Sequence, residues 1–272
     1  MTKLEKLQEF IAGYDSALLA FSGGVDSTFL AKVASGVLGE RLLLVTATSC
    51  TYPASELADA KRLALDLGAR HKVVVSEEID IPGFAQNTPD RCYHCKHELF
   101  SQLTKLAAQE GLAAVFEGST VDDLSDYRPG RRAVKELAII SPLLEAGLTK
   151  NEIRAFSSQL HLETAVKPSY ACLASRFPYG ETITREKLLR VGLAEEAMKK
   201  LGFRQFRVRS HENLARIEIA QMEMDAAWTS RPQIDTVCRE AGFTYVAIDL
   251  RGYRTGAMNE ALPKSINPLS RS

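Results

Sequence analysis

A chain of 272 residues, 45% hydrophobic and 25% charged, has the make-up of a globular protein with one large domain or two modest ones. Its 34 Lys+Arg balance 34 Asp+Glu, which argues against a protein that coats nucleic acid or an anionic membrane, and no apolar run approaches the ~18 residues of a membrane span. The charged, amphipathic opening MTKLEKLQEF is not a signal peptide, so the expectation is a cytoplasmic protein whose Cys50, Cys92, Cys95, Cys172 and Cys238 are thiols, ligands or catalysts rather than disulfides.

Leu4, Leu7, Phe10 and Ile11 share one face of a first helix. Short apolar runs then alternate with helical patterns: SALLAF (16–21), RLLLVTAT (41–48), HKVVVS (71–76), AAVFEG (113–118) and AIISPL (138–143). Leu57, Ala60, Ala64 and Leu67 define a helix over 54–67, and Thr149 with Glu152 forms a capping box ahead of Ile153. Continuous apolar strands between helices predict an α/β fold, a doubly wound parallel sheet covered on both faces. Ligands in such sheets sit at the carboxyl ends of strands, here the loops after Phe21, Thr48, Ser76 and Glu117.

The pattern changes near residue 180. QFRVR (205–209) and ARIEI (215–219) alternate, which predicts one buried and one exposed face. A helix over 231–241 follows, with Ser230 and Gln233 as a capping box and Ile234, Val237, Cys238 and Ala241 inward, then a strand in YVAIDL (245–250). The expected organisation is an α/β domain over 1–180, a smaller α+β domain over 181–262 and a mobile tail over 263–272.

Where the first strand ends, Ser22-Gly23-Gly24-Val25-Asp26-Ser27-Thr28 leads into a helix. Glycines let the backbone approach an anion, the helix N-terminus offers amides, and the hydroxyls add donors. No Gly-Lys-Ser/Thr follows, so this is not a Walker A loop. The string resembles the PP-loop of the ATP pyrophosphatase superfamily, which cleaves ATP between the α and β phosphates. That resemblance implies pyrophosphate binding by Ser22, Gly23, Gly24, Asp26 and Ser27. Gly118-Ser119-Thr120-Val121-Asp122-Asp123 looks like the superfamily's second element, and Asp122 and Asp123 beside polyphosphate suit Mg²⁺; the alternative is a solvated acidic turn.

Cys92-Tyr93-His94-Cys95 opens a predicted helix, and a third cysteine, Cys172, lies near Lys167 and Arg176, cations that favour a thiolate. Three cysteines on an iron–sulfur cube leave one iron without a protein ligand; the rival is a Cys₃His zinc site using His94 or His97. Cys238 reads as a core residue, Trp228 as a packing residue, and Cys50 has no assigned role.

Asn87-Thr88-Pro89-Asp90-Arg91-Cys92, Asp126-Tyr127-Arg128-Pro129-Gly130, Ser175-Arg176-Phe177-Pro178-Tyr179-Gly180 and Asp249-Leu250-Arg251-Gly252-Tyr253-Arg254 together resemble the LarE family, ATP-dependent sulfur transferases of nickel-pincer nucleotide synthesis. The resemblance implies that a carboxylate of pyridinium-3,5-biscarboxylic acid mononucleotide is adenylated and then converted to a thiocarboxylate. It makes Cys172 the sulfur-donating position, with Cys92 and Cys95 completing a [4Fe–4S] site. Arg207 and Arg209 would bind the nucleotide phosphate, Arg128, Ser175 and Arg176 would line the acceptor pocket, and Glu195 and Glu218 would lie near an accessory metal. Lys199, Lys200, Arg204, Arg207, Arg209 and Arg216 face only Glu212 in charge along this stretch, which suits a small anionic acceptor; a solvated charged sheet face is the alternative. The implied partners are ATP, Mg²⁺, the nucleotide substrate, sulfide or an upstream sulfur donor, and further copies of the chain, with a hexamer as the candidate assembly; neither nucleic acid nor membrane is expected. A transfer-RNA thiolase, an amidotransferase-type ATP pyrophosphatase with structural zinc, and a nucleotide- or cluster-sensing binding protein stay open as rivals.

Overall fold

The computed structural model describes residues 1–124, 128–168, 171–254 and 256–261. The tail expected over 263–272, and Asp126 and Tyr127 of the quoted motifs, lie outside the described residues. The chain divides into two compact units, Met1–Ile81 with Cys92–Tyr170, and Pro82–Arg91 with Ala171–Ser272.

In the first unit the elements run α1 (Lys3–Ala12), β1 (Ala17–Ala20), α2 (Val25–Leu38), β2 (Leu42–Thr48), α3 (Ala54–Asp66) and β3 (Arg70–Val75). After the 82–91 excursion, which holds the short α4 (Pro82–Ala85), come α5 (Arg91–Gln109), β4 (Ala114–Phe116), α6 (Gly130–Glu136), α7 (Pro142–Glu145) and α8 (Lys150–Gln159). All four strands are parallel, in the order β3-β2-β1-β4. Ala17 pairs with both Leu42 and Ala114. Period-two alternation sends successive strand residues into two separate cores. Ala17, Leu19, Leu42, Leu44, Ala114 and Phe116 pack with Phe29, Leu30, Ala60, Leu63 and Ile153 on one face. Leu18, Leu43, Val45 and Val115 pack with Phe100, Leu103 and Ala107 on the other. This is the expected α/β sheet covered on both faces. Because β2 and β3 lie on one side of β1 and β4 on the other, the topological switch point is between β1 and β4, the position at whose carboxyl ends sheets of this kind bind ligands.

The predicted strand over 138–143 is reduced to one bridge, Ile140 beside Phe116. Ala138 takes a φ of 51°, and Pro142, which has no N–H to give a ladder, instead starts α7. The Thr149–Glu152 capping box forms as expected at α8.

The second unit contains α9 (Arg185–Lys200), β5 (Phe206–His211), β6 (Leu214–Ile219), α10 (Met224–Thr229), α11 (Arg231–Glu240) and β7 (Tyr245–Ile248). β5 and β6 are antiparallel and β7 joins β6 in parallel, across the α10–α11 crossover. Leu188, Val191, Ala194 and Met198 of α9, with Ile234 and Cys238 of α11, are buried with Val208 and Ile217 of the sheet. Two local expectations change here. Ser230 makes no capping hydrogen bond, because α10 runs almost directly into α11 and leaves Ser230 near-helical at φ −88°, ψ 11°, with its N–H on Ala226 O. Trp228 is 65% exposed rather than packed, and the Arg231 guanidinium lies 5.2 Å from its ring centroid.

Candidate functional site

β1 delivers the chain to the switch point, where Phe21 is still anchored: its N–H donates to Val45 O at 2.8 Å, and Thr46 Oγ1 donates to its carbonyl at 2.7 Å. The loop then turns through Gly23, at φ 65°. Gly24 is the N-cap of α2 and no side chain caps that end, so the amides of the first turn are offered to an anion. Ser22 Oγ and Ser27 Oγ lie 3.1 Å apart over this turn. Gly118, after β4, comes against the same place, its absent Cβ falling 3.5 Å from the Ser27 amide nitrogen. The two glycine elements singled out in the sequence therefore flank one α2 N-terminus.

The acidic residues around it differ in role. Asp26 Oδ2 is 3.0 Å from Lys150 Nζ, while the buried Oδ1 has no hydrogen-bond partner. Burial pushes the Asp26 carboxyl up, the Lys150 charge opposes that, and Asp123 adds to it. Asp123 is 8% exposed; its Oδ2 accepts the Thr120 N–H at 2.9 Å and its Oδ1 pairs with Arg128 at 2.8 Å. Asp122 Oδ2 accepts the Lys150 N–H at the start of α8, at 2.7 Å. Mg²⁺ needs one or two carboxylates with phosphate oxygens completing its shell, and Asp26 with Asp123 fits that demand. Arg128 faces Asp123 as an ion-pair partner, a role its motif did not indicate. Lys150, which no motif marked, is tied to the loop through Asp26.

Cys92 and Cys95 stand one turn apart at the start of α5, Cys92 exposed and Cys95 half-buried. Gly130 packs on that turn: a Cβ there would meet the Cys92 carbonyl oxygen at 3.1 Å and the Lys96 side chain at 2.6 Å. His94 and His97, the candidate zinc ligands, lie with ring centroids 5.4 and 5.6 Å from Tyr93. Among the described residues no three His, Cys, Asp or Glu side chains form a metal-binding group.

Cys172 belongs to the second unit and is exposed at the N-cap of a short 3₁₀ turn, Leu173–Arg176, where its Sγ accepts the Ala174 N–H at 3.4 Å. Beneath it Arg176 is fully buried. Arg176 Nη1 donates to Ala171 O at 2.8 Å, Cys172 O at 3.2 Å and Ser175 Oγ at 2.8 Å. Its Nε and Nη2 grip Glu195 at 2.8 and 2.9 Å. The guanidinium expected to touch substrate instead organises the Cys172 turn. Asn87 and Arg91 support the same turn: Arg91 donates to Asn87 Oδ1 and, at 2.8 Å, to Ala174 O, while Asn87 Nδ2 reaches Pro178 O at 2.6 Å. Lys167, grouped with Cys172 by sequence proximity, is held by Glu56 and Asp59 of the first unit at 2.9 and 3.0 Å.

The second face of the β5–β6 ladder is also buried, which overturns its expected solvation. Arg207 is 8% exposed and Arg209 6%. Arg209 donates to Ser175 O at 3.0 Å and pairs with Glu218 at 2.6 Å. Arg207 donates to Phe206 O at 2.6 Å, and its guanidinium lies 5.1 Å from the Tyr253 ring centroid. Burial and the charge of Arg176 depress the Arg207 pKa. Alternation marked two faces, but what covers the second, the Ser175–Arg176 turn and Glu195, is remote in sequence. Glu195 and Glu218 both take arginine partners, Glu218 also meeting Arg216 at 3.2 Å. Arginines outnumber carboxylates here, and the cluster favours an anion.

Thiol accessibility separates the cysteines. Burial, with Asp235 adding to it, pushes the Cys238 thiol up to about 12. Iodoacetamide at pH 8 should therefore modify Cys92 and Cys172 in the native protein and spare Cys238 until unfolding; mass spectrometry showing native modification of Cys238 would contradict its placement.

No protein-family model matches the chain. An uncharacterized protein of Synechocystis is 45% identical over 265 residues, spanning 97% of this chain and 99% of that one. The pyridinium-3,5-bisthiocarboxylic acid mononucleotide synthase of Lactiplantibacillus plantarum is 36% identical over 265 residues, 97% of this chain and 96% of its own length. An uncharacterized protein of Methanocaldococcus jannaschii is 31% identical over 241 residues, 88% of this chain and 90% of its own. Likeness of this degree, running through both units rather than through the glycine loop alone, means that the chain belongs to the LarE family.

Proposed function

We propose that the protein is an ATP-dependent sulfur transferase that makes a thiocarboxylate on a pyridinium dicarboxylate mononucleotide, in nickel-pincer nucleotide synthesis. The observation that carries the reading is Cys172, exposed on a turn whose support is a buried arginine cluster. That cluster supplies the positive field a phosphorylated dicarboxylate needs, and the turn presents a sulfur where the acceptor is held. Membership of a family that contains a bisthiocarboxylic acid mononucleotide synthase supports the substrate class.

In this mechanism the amides opening α2, with Ser22 and Ser27, hold the β and γ phosphates, and Asp26 and Asp123 would hold Mg²⁺. A substrate carboxylate oxygen attacks the α phosphorus, the bond to the β-phosphate oxygen breaks, and pyrophosphate leaves. Fixed donors stabilise the charge developing on that leaving group without reorganising. Sulfur presented at Cys172 then attacks the activated carbonyl carbon and AMP departs, two easier steps replacing one difficult one. Cys92 and Cys95 fit a cluster by donor chemistry, two thiols on one exposed helical turn. With Cys172 they would hold a [4Fe–4S] cluster, which supplies an iron able to carry an additional sulfide.

The test is acceptor dependence. Purified protein given Mg²⁺–ATP, sulfide and the dicarboxylate nucleotide should release pyrophosphate and AMP in step with thiocarboxylate, and release neither without the acceptor. Pyrophosphate release that ignores the acceptor would defeat the reading.

A further inference from the structure

An anion loop contains carbonyls as well as amides, and a peptide facing the wrong way presents a repelling oxygen. Glycine peptides rotate with little steric penalty, so Ser22–Gly23 and Gly23–Gly24 need something to fix them. Both carbonyls of this pair are held. Tyr52 Oη donates to Ser22 O at 2.6 Å, and Lys167 Nζ lies 3.4 Å from Gly23 O as a donor. In a trans peptide the N–H points opposite its carbonyl, so these contacts set where the Gly23 and Gly24 amides face, the Gly24 N–H lying on the side of Ser22 Oγ, to which it donates at 3.4 Å.

The clasp is itself anchored on α3. Lys167 Nζ is 2.9 Å from Glu56 Oε2 and 3.0 Å from Asp59 Oδ2, carboxylates one turn apart on that helix. Tyr52 Oη lies 3.5 Å from Glu56 O. At Gly23 the loop presses directly on α3: a Cβ there would fall 3.1 Å from Ala60 Cα. Lys167 therefore arrives with its charge balanced by two carboxylates, suited to holding a carbonyl rather than to neutralising phosphate.

Resting on the pyrophosphate-loop reading above, we infer that Tyr52 and Lys167 are positioning residues that lock the Ser22–Gly23–Gly24 peptides with their amides toward the pyrophosphate end of the nucleotide. Neither touches the reacting atoms; both act through the backbone.

The experiment is calorimetric titration of the full chain with Mg²⁺–ATP, inorganic pyrophosphate and AMP. Tyr52→Phe removes one hydroxyl and keeps the ring, and should weaken pyrophosphate and Mg²⁺–ATP by about 10-fold, the worth of a hydrogen bond, leaving AMP unchanged. Lys167→Met added to it should deepen that loss, and Lys167→Arg should restore part of it. Pyrophosphate binding by Tyr52→Phe equal to wild type would overturn the inference, as would an equal loss for AMP and pyrophosphate, which would mark a general disturbance of the pocket. Failure of the wild-type chain to bind either pyrophosphate or Mg²⁺–ATP would instead overturn the loop reading.

Discussion

Cys172→Ala should abolish thiocarboxylate formation and leave Mg²⁺–ATP binding intact. Loss of the residue at which the reacting sulfur is presented is a loss on the order of 10⁴-fold or more. Cys172 is exposed at the head of its turn, where its Sγ accepts the Ala174 N–H at 3.4 Å. Arg176 grips the Ala171 and Cys172 carbonyls, which alanine retains, and the turn should keep its shape. The Ser22–Ser27 loop belongs to the other unit. Product analysis with parallel ATP titration checks both halves of the expectation. Sulfur transfer at the wild-type rate would remove Cys172 from the mechanism.

The second large effect is on stability. Glu195 is 4% exposed, and both of its oxygens are taken by Arg176, one also by the Val208 N–H at 3.0 Å. Arg176→Met leaves a carboxylate buried without its cation and should destabilise the protein by about 3–5 kcal/mol, read as a lowered urea midpoint. Pairing it with Glu195→Leu removes the stranded charge and should recover part of that loss. The acid dependence follows from the same pair. Burial alone would raise the Glu195 pKa, but the charge and hydrogen bonds of Arg176 outweigh it and hold the carboxyl below its ordinary value. A carboxyl depressed by folding stabilises above the unfolded pKa, about 4.3, and that contribution disappears as pH falls through the folded value. Unfolding below about pH 4 should therefore be less pH-dependent in Glu195→Gln than in wild type. Identical acid profiles would contradict the pairing.

Much of the first unit was legible because its signals are local. An apolar run, two glycines and an apolar-faced helix within twenty-odd positions define β1, the loop and α2, and period-two burial alone separates Leu18 from Leu19 into different cores. The segment 138–143 misled because its apolar content is that of a strand, while Pro142 withholds the donor a strand needs. Longer-range chemistry was silent. Lys167 and Asp59 are 108 residues apart, and nothing in either neighbourhood announces the other. Arg207 and Arg209 were recognisable as a basic pair; their burial was not, since a strand's alternation names its faces without naming what lies on them. Asn87 and Arg91 were visible only as a motif, and their work, holding the backbone at 174–178, is done across more than eighty residues.

The assignment of Pro82–Arg91 to the second unit has a consequence for modularity. The Cys172 turn is not encoded in one stretch: a polypeptide beginning at Ala171 would lack Asn87 and Arg91, and with them the struts under Ala174 and Pro178. The later part of the gene is therefore not a portable cassette. A fragment meant to keep the Cys172 turn in shape must carry the ten residues Pro82–Arg91 along with the chain from Ala171 onward.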